Sequence, residues 1–272
     1  WTKAVINEYP KLNMVGEEWS TRQAVTAYWQ MGQKNKDGYK SYLPTMMDFP
    51  LNNALIEGLK ENDKDWGKGM LKVYQCLSDD YLYANSNNLV TFFDNHDMNR
   101  IYTQLDEDKD LLKMGLAVIF TTRGIPQFFY GTELAMTSPK ERNDGLIRAD
   151  LPGGWVGDKV DVFQNKNLSP LQSEIREYVK KLLNWRKSAT AIHNGKLIHF
   201  APEDGIYSYF RFNEKEKYFV VLNKNDKEIS LHLERYKGMI PDKPSFEDVL
   251  DGGQFQNEVK IPAKSFRILK VK

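Results

Sequence analysis

Cysteine, net charge and long apolar runs are what this sequence has least of. Cys76 stands alone, so no internal disulfide and no cysteine-based metal site can form. No apolar stretch approaches the ~20 residues that cross a bilayer, so no membrane span is expected. With 38 basic and 37 acidic residues the formal charge is only +1. That balance removes the main sequence reason to expect nucleic acid or an anionic surface as a partner. Three of the four histidines, His193, His199 and His232, sit singly among strand or turn residues and read as structural or surface groups. No internal repeat, low-complexity tract or signal peptide is visible.

What is present is an ordinary globular composition with a sizeable aromatic share: 14 Tyr, 14 Phe and 6 Trp, most of which must fill cores. The chain opens on Trp1. Residues 1–9 read as the tail of an amphipathic helix, with Trp1, Ala4, Val5 and Ile6 as its apolar stripe and Pro10 as its stop. A domain rarely begins in mid-helix, so the expectation is that this chain is the later part of a longer protein.

Beyond that helix, short apolar runs alternate with helical patterns. Strands are expected at Leu12–Gly16, Met46–Leu51, Leu89–Phe93 and Ile125–Tyr130. Helices are expected around Arg22–Met31, over a long segment Asn53–Leu77 with Asn53 as its cap, over Asp108–Phe120, and from Pro170 to about Lys187. Four strand–helix alternations are the pattern of βα units on a parallel sheet, and half of a (β/α)8 barrel. From about Gly195 the pattern becomes short strand-like runs, at Lys196–Ala201, Gly205–Phe212, Tyr218–Asn223, Glu228–Leu233, Glu258–Ile261 and Ser265–Val271, separated by Gly, Asn, Asp and Pro turns. The predicted organisation is therefore α/β: a half-barrel over 1–190, then a small antiparallel β-sandwich over 195–272.

Polar, reactive side chains gather just after each predicted strand, on the face where such barrels build their sites. Glu17 follows the first strand and Asp97 the third. Paired carboxylates suit hydrolysis of a glycosidic bond, in which one acid protonates the departing oxygen and another group attends to the anomeric carbon. Met14, Val15 and Trp19 are expected to give Glu17 partly apolar surroundings of the kind that raise a carboxyl pKa.

The wording around these carboxylates is more specific. Val15-Gly16-Glu17-Glu18-Trp19 resembles the G-E-x-W segment of the α-amylase superfamily, and Phe92-Phe93-Asp94-Asn95-His96-Asp97 its F-x-x-N-H-D segment. The run from Gly124 to Glu133 resembles its G-x-P-x-x-Y-Y-G-x-E segment near the eighth strand, and the run from Asp144 to Trp155 looks most like the neopullulanase and cyclomaltodextrinase branch. The resemblance covers the half-barrel and extends to the trailing sandwich.

It implies a retaining α-glucan hydrolase, acting on α-1,4 bonds of maltodextrins, cyclodextrins or pullulan. By this resemblance Glu17 is the general acid/base, Asp97 the carboxylate that stabilises the oxocarbenium-like transition state, and His96 a sugar ligand at the cleavage subsite. Asn95, Arg100, Trp19 and Trp155 join them as candidate substrate-binding residues, with Asn95 and Arg100 also open to a role in orienting neighbours. No organic cofactor is implied and no metal site is evident. Calcium, which family members often bind, would be held in the parent mostly by residues upstream. A glucan-degrading role suits a periplasmic or secreted enzyme.

One piece is missing. The family's nucleophile is an Asp in a G-x-R-x-D segment, and no such segment occurs in this chain. The expected partner is therefore the N-terminal half of the same protein, supplying the nucleophile. Two other readings remain: transfer of the glucan to an acceptor other than water, and a non-catalytic relative that binds or scaffolds. An open half-barrel exposes parallel edges and an apolar interior. The 272-residue chain is therefore expected to be stable only with its other half, or as an assembly such as a homodimer that covers those edges; a sharply melting monomer in sedimentation would contradict this.

Overall fold

The computed structural model describes residues 1–272. In chain order its first part holds α1 (Thr2–Glu8), β1 (Val15–Gly16), α2 (Gln23–Tyr28), β2 (Thr45–Met47), α3 (Phe49–Lys60), α4 (Leu71–Ser78), β3 (Leu89–Phe92), α5 (Ile101–Gln104), α6 (Lys109–Thr121) and β4 (Ile125–Gln127). Helices α7 (Asp144–Ile147), α8 (Pro170–Arg186) and α9 (Thr190–Asn194) lead to the second part. The four strands form one parallel sheet in the order β1-β2-β3-β4. A crossover separates each pair, so all four C-terminal ends lie along one rim. This is a partial barrel with half the strands of a closed one.

The local reasons differ in places from the sequence expectation. The second strand ends at Met47 rather than Leu51, because Asp48 caps α3: its carboxylate accepts from Leu51 N at 3.1 Å, and Pro50 fits the first turn, where no N–H is needed. Asn53 is therefore an interior helical residue and not the cap. The long helix expected over Asn53–Leu77 is two helices. The chain turns between Lys60 and Leu71, where Asp63 Oδ1 accepts from Met70 N at 2.6 Å. Helix α1 buries none of its residues fully: of the stripe, Val5 and Ile6 are partly covered, and Trp1 and Ala4 are exposed. Helices α6 and α8 begin where expected, on Asp108 and on a Ser169–Gln172 capping box.

Two glycines are demanded by close approach. A Cβ on Gly16 would stand 2.7 Å from Leu43 Cδ1, where β1 meets β2. Gly124 has φ 102°, and a Cβ there would meet the Leu89 carbonyl at 2.7 Å at the entry to β4.

The two central strands, β2 and β3, are buried throughout. The outer ones are not: Val15 of β1 is 51% exposed and Ile125 of β4 is 42% exposed. Parallel strands are normally covered on both faces, so both edges of this sheet stand open.

The second part is a six-stranded antiparallel sheet, comprising β5 (Lys196–Glu203), β6 (Ile206–Phe212), β7 (Lys217–Asn223), β9 (Ser245–Asp248), β10 (Gln254–Gln256) and β12 (Ser265–Val271), with a two-stranded ribbon of β8 (Ile229–Ser230) and β11 (Lys260–Ile261). Strands β9 and β10 have no counterpart among the runs expected from sequence. Strands β6 and β7 are buried on both faces. Tyr207, Tyr209, Val220 and Leu222 join the core formed by α3, α4, α6 and α8, while Phe210, Phe219 and Val221 pack towards Ile261 and Leu231. Lys224 pins the two parts together. Its ammonium, mostly buried, donates to Gly58 O at 2.6 Å and Glu61 O at 2.7 Å, completing the C-terminus of α3, and pairs with Asp63 at 3.1 Å.

Arg123, just ahead of Gly124, is a deeply buried charge at 3% exposure. It binds Asp80 through two nitrogens, at 2.8 and 2.6 Å, and Asp48, which is fully buried, through a third. Burial opposes the guanidinium charge, but Asp48 and Asp80 outweigh it and hold Arg123 protonated. Arg123→Ala would leave Asp48 buried without its cation. It should cost about 3–5 kcal/mol in urea unfolding.

Candidate active site

The rim of the sheet is built around the end of β3. Where its ladder stops, the carbonyls of Phe92 and Phe93 need new partners. The Asn52 amide of α3 supplies both, donating at 3.1 and 2.9 Å. Asp94, 2% exposed, turns its carboxylate inward and accepts from Ile101 N at 2.9 Å and from Thr132 Oγ1 at 3.0 Å. Thr132 lies beyond β4, so this carboxylate ties the ends of two neighbouring strands. Asn95 is buried as well, and its Oδ1 accepts from Asp97 N at 2.9 Å. The geometry thus puts Asn95 behind the rim, holding its neighbour.

His96 and Asp97 project from this anchored turn. His96 is exposed, and its Nε2 lies 3.3 Å from Asp97 Oδ2. Asp97 is partly buried, and its Oδ1 accepts from Arg148 Nη2 at 2.7 Å. Glu17 follows β1 on the same rim, one strand across from β3. Two strand spacings put the two strand ends roughly 10 Å apart. Glu17 is exposed, with Val15 and Trp19 half-exposed beside it. The apolar enclosure expected from Met14, Val15 and Trp19 is therefore not built by these residues, because β1 is an open edge. Trp19 stacks on buried Phe49 with ring centroids 4.7 Å apart, and Phe49 in turn meets Phe92 edge-on. One face of Trp19 is thereby fixed against the sheet while half of the side chain stays open.

The remaining candidates are not gathered at the rim. Arg100 is 1% exposed and pairs with backbone rather than a carboxylate. Its Nε donates to Ile147 O at 2.9 Å, its Nη1 to Tyr130 O, and its guanidinium lies 4.2 Å from the Phe129 ring centroid. This corrects its expected place beside the substrate: the apolar floor of the rim buries it. Trp155 is 69% exposed on a loop shaped by Asp158, which accepts from Gly153 N and Trp155 N, and none of its ring contacts reach the other site residues. No group of three or more His, Cys, Asp or Glu side chains is placed to hold a metal ion. No helix is long and apolar enough to cross a membrane.

Sequence reading passed over Asn52, Asp94, Thr132 and Arg148. Asp94, Thr132 and Arg148 lie inside the motif runs, but the motifs give them no partners. Asn52, Thr132 and Arg148 stand 40, 38 and 51 residues from their partners, and no local spacing announces them.

The family model for the α-amylase catalytic domain matches residues 1–188, and that for the cyclo-malto-dextrinase C-terminal domain matches residues 197–270. Alpha-amylase 3 of Dictyoglomus thermophilum is 28% identical over 237 residues, which is 79% of this chain and 43% of that protein. A cyclomaltodextrin glucanotransferase of Geobacillus stearothermophilus is 26% identical over 202 residues, 72% of this chain and 25% of that protein. Among solved structures, an Anoxybacillus α-amylase superposes with a TM-score of 0.76 at 19% identity, over 99% of this chain and 54% of that one. The chain thus spans about half the length of that solved relative, and less of the two sequence relatives.

Burial pushes the Asp94 carboxyl up to about 6 from an ordinary 3.8, against the hydrogen bonds from Ile101 and Thr132. The fold favours the protonated acid, so the stability this group contributes is full below pH 3.8 and is lost as pH rises through 6. Asp94→Asn removes the titration and can keep both hydrogen bonds. Between those pH values, wild type should lose roughly 3 kcal/mol relative to the variant in urea unfolding. Parallel pH profiles for the two proteins would contradict this.

Proposed function

The chain belongs to the α-amylase family, and from that membership we propose that it provides the acid/base side of a retaining α-glucan hydrolase. The observation that carries the reading is the shared rim: Glu17 and Asp97, from two separate motifs, follow strands of one parallel sheet with a single strand between them. Glu17 protonates the departing glucosyl oxygen and later takes a proton from the attacking water. Its exposure lets a sugar ring reach it. Asp97 and His96 hold the sugar's hydroxyls as charge develops at the anomeric carbon. Trp19, braced by Phe49, offers a flat apolar face to a pyranose ring.

A retaining reaction also needs a nucleophile to form the glycosyl-enzyme. We assign it to a further segment of the same protein, one that pairs with the open edges at β1 and β4 and closes the barrel. The exposed Val15 and Ile125 support this, since in a closed barrel both would be covered. The substrates that fit are maltodextrins, cyclodextrins or pullulan, in a periplasmic or secreted setting. Transfer rather than hydrolysis is the second reading. It is favoured by the glucanotransferases among the relatives, and product analysis on maltoheptaose separates the two.

The chain alone, incubated with cyclodextrin, pullulan and maltoheptaose, should release no more reducing ends than its Glu17→Gln variant. In the barrel-complete protein, Glu17→Gln should lower kcat by about 10²–10⁴-fold. Full activity of that variant would sink the assignment of Glu17.

A further inference from the structure

Arg148 reaches the rim from a segment far along the chain and takes hold of it at two points. Its Nε donates to His96 O at 2.9 Å and its Nη2 to Asp97 Oδ1 at 2.7 Å. These contacts fix the backbone and the side chain of consecutive residues with one planar group, a geometry that lysine cannot reproduce. The base from which Arg148 reaches is itself anchored on both sides. Ile147 is fully buried and its carbonyl accepts from Arg100 Nε at 2.9 Å, while the carbonyl of Ala149 accepts from Tyr130 OH at 2.9 Å. Asp144 adds a weaker tether, 3.5 Å from Arg148 Nη2.

We infer that Arg148 is a positioning residue for Asp97, held in place from beneath by Arg100. Left to His96 alone, at 3.3 Å from Oδ2, the Asp97 carboxylate is free to swing about χ1 and χ2; the Arg148 fork removes that freedom before a sugar arrives. Arg100 then has a purpose that its burial denies it as a sugar ligand: it sets the Ile147 carbonyl, and with it the start of the Arg148 side chain. The inference rests on reading Asp97 as the carboxylate that meets the sugar.

Two measurements test it, and they fail separately from that reading. The first uses this chain without any sugar. His96 Nε2 faces Asp97, so its side-chain ¹⁵N resonance reports where that carboxylate points. Arg148→Gln should move the resonance in the same direction as Asp97→Asn does, and Arg148→Gln added to Asp97→Asn should move it no further. Arg148 is nearly half exposed, so the variants should melt with wild type. A His96 resonance left in place by Arg148→Gln overturns the positioning role. The second uses the barrel-complete protein on maltoheptaose. Arg148→Gln should lower kcat about tenfold with KM little changed, Arg148→Lys should recover part of it, and the penalty should vanish in an Asp97→Asn background. If the two penalties instead add in full, Arg148 acts on its own and the inference is wrong. If Asp97→Asn alone leaves kcat untouched, it is the hydrolase reading that fails, while the resonance measurement still decides whether Arg148 holds Asp97.

Discussion

The chemistry of this chain depends on how strand β3 stops. A parallel strand that ends at a rim leaves carbonyls with no ladder partner, and a structure of this kind cannot bury them bare. Here a helix amide, Asn52, takes the carbonyls of Phe92 and Phe93. A buried carboxylate, Asp94, takes the next free amide and a threonine hydroxyl from across β4, and the Asn95 side chain closes on Asp97 N. Four consecutive positions are fixed by these bonds, and the two that follow, His96 and Asp97, inherit the direction. Reactive side chains can be set precisely on a loop only when the loop's own polar groups are satisfied underneath it.

The same economy of partners runs through the interior. Every deeply buried cation has a defined set of acceptors: Arg123 two carboxylates, Arg100 the carbonyls of Tyr130 and Ile147, Arg211 those of Ala191 and Ile192, and Lys224 the end of α3. Three of these four join elements distant in sequence. Arg123 links β2, α4 and the entry to β4. Arg100 links the β3 turn to the segment that carries Arg148. Lys224 links the antiparallel sheet to the half-barrel. That sheet is clamped on both faces, which is why β6 and β7 carry apolar or aromatic residues at nearly every position rather than on alternate ones.

Against this interior, the two ends of the parallel sheet stand apart. β1 pairs on one side only and exposes Val15; β4 does the same and exposes Ile125. The candidate acid Glu17 sits on one of these open ends, whereas Asp97 sits on a central strand. That difference accounts for the contrast in their surroundings. Asp97 is already tied by a backbone amide bond and an arginine, while Glu17 waits for walls that only a neighbouring strand could bring.

By itself the sequence determined the alternation of strands and helices, the change to an antiparallel domain near Gly195, and the motifs that place Glu17, His96 and Asp97 after their strands. These are local matters: a run of apolar residues, a cap, or a short string of letters lies within one element and acts through its own backbone. Tertiary structure alone decided the rest. It split the helix after Lys60, where Asp63 satisfies an amide that no periodicity records. It added β9 and β10, which exist only by pairing with each other and with β12. It moved Arg100 from the cleft to the floor and brought Arg148 to Asp97 from 51 residues away. A charged side chain reads the same in sequence whether it meets solvent, a carbonyl or a carboxylate, and only the packing of distant elements chooses among them.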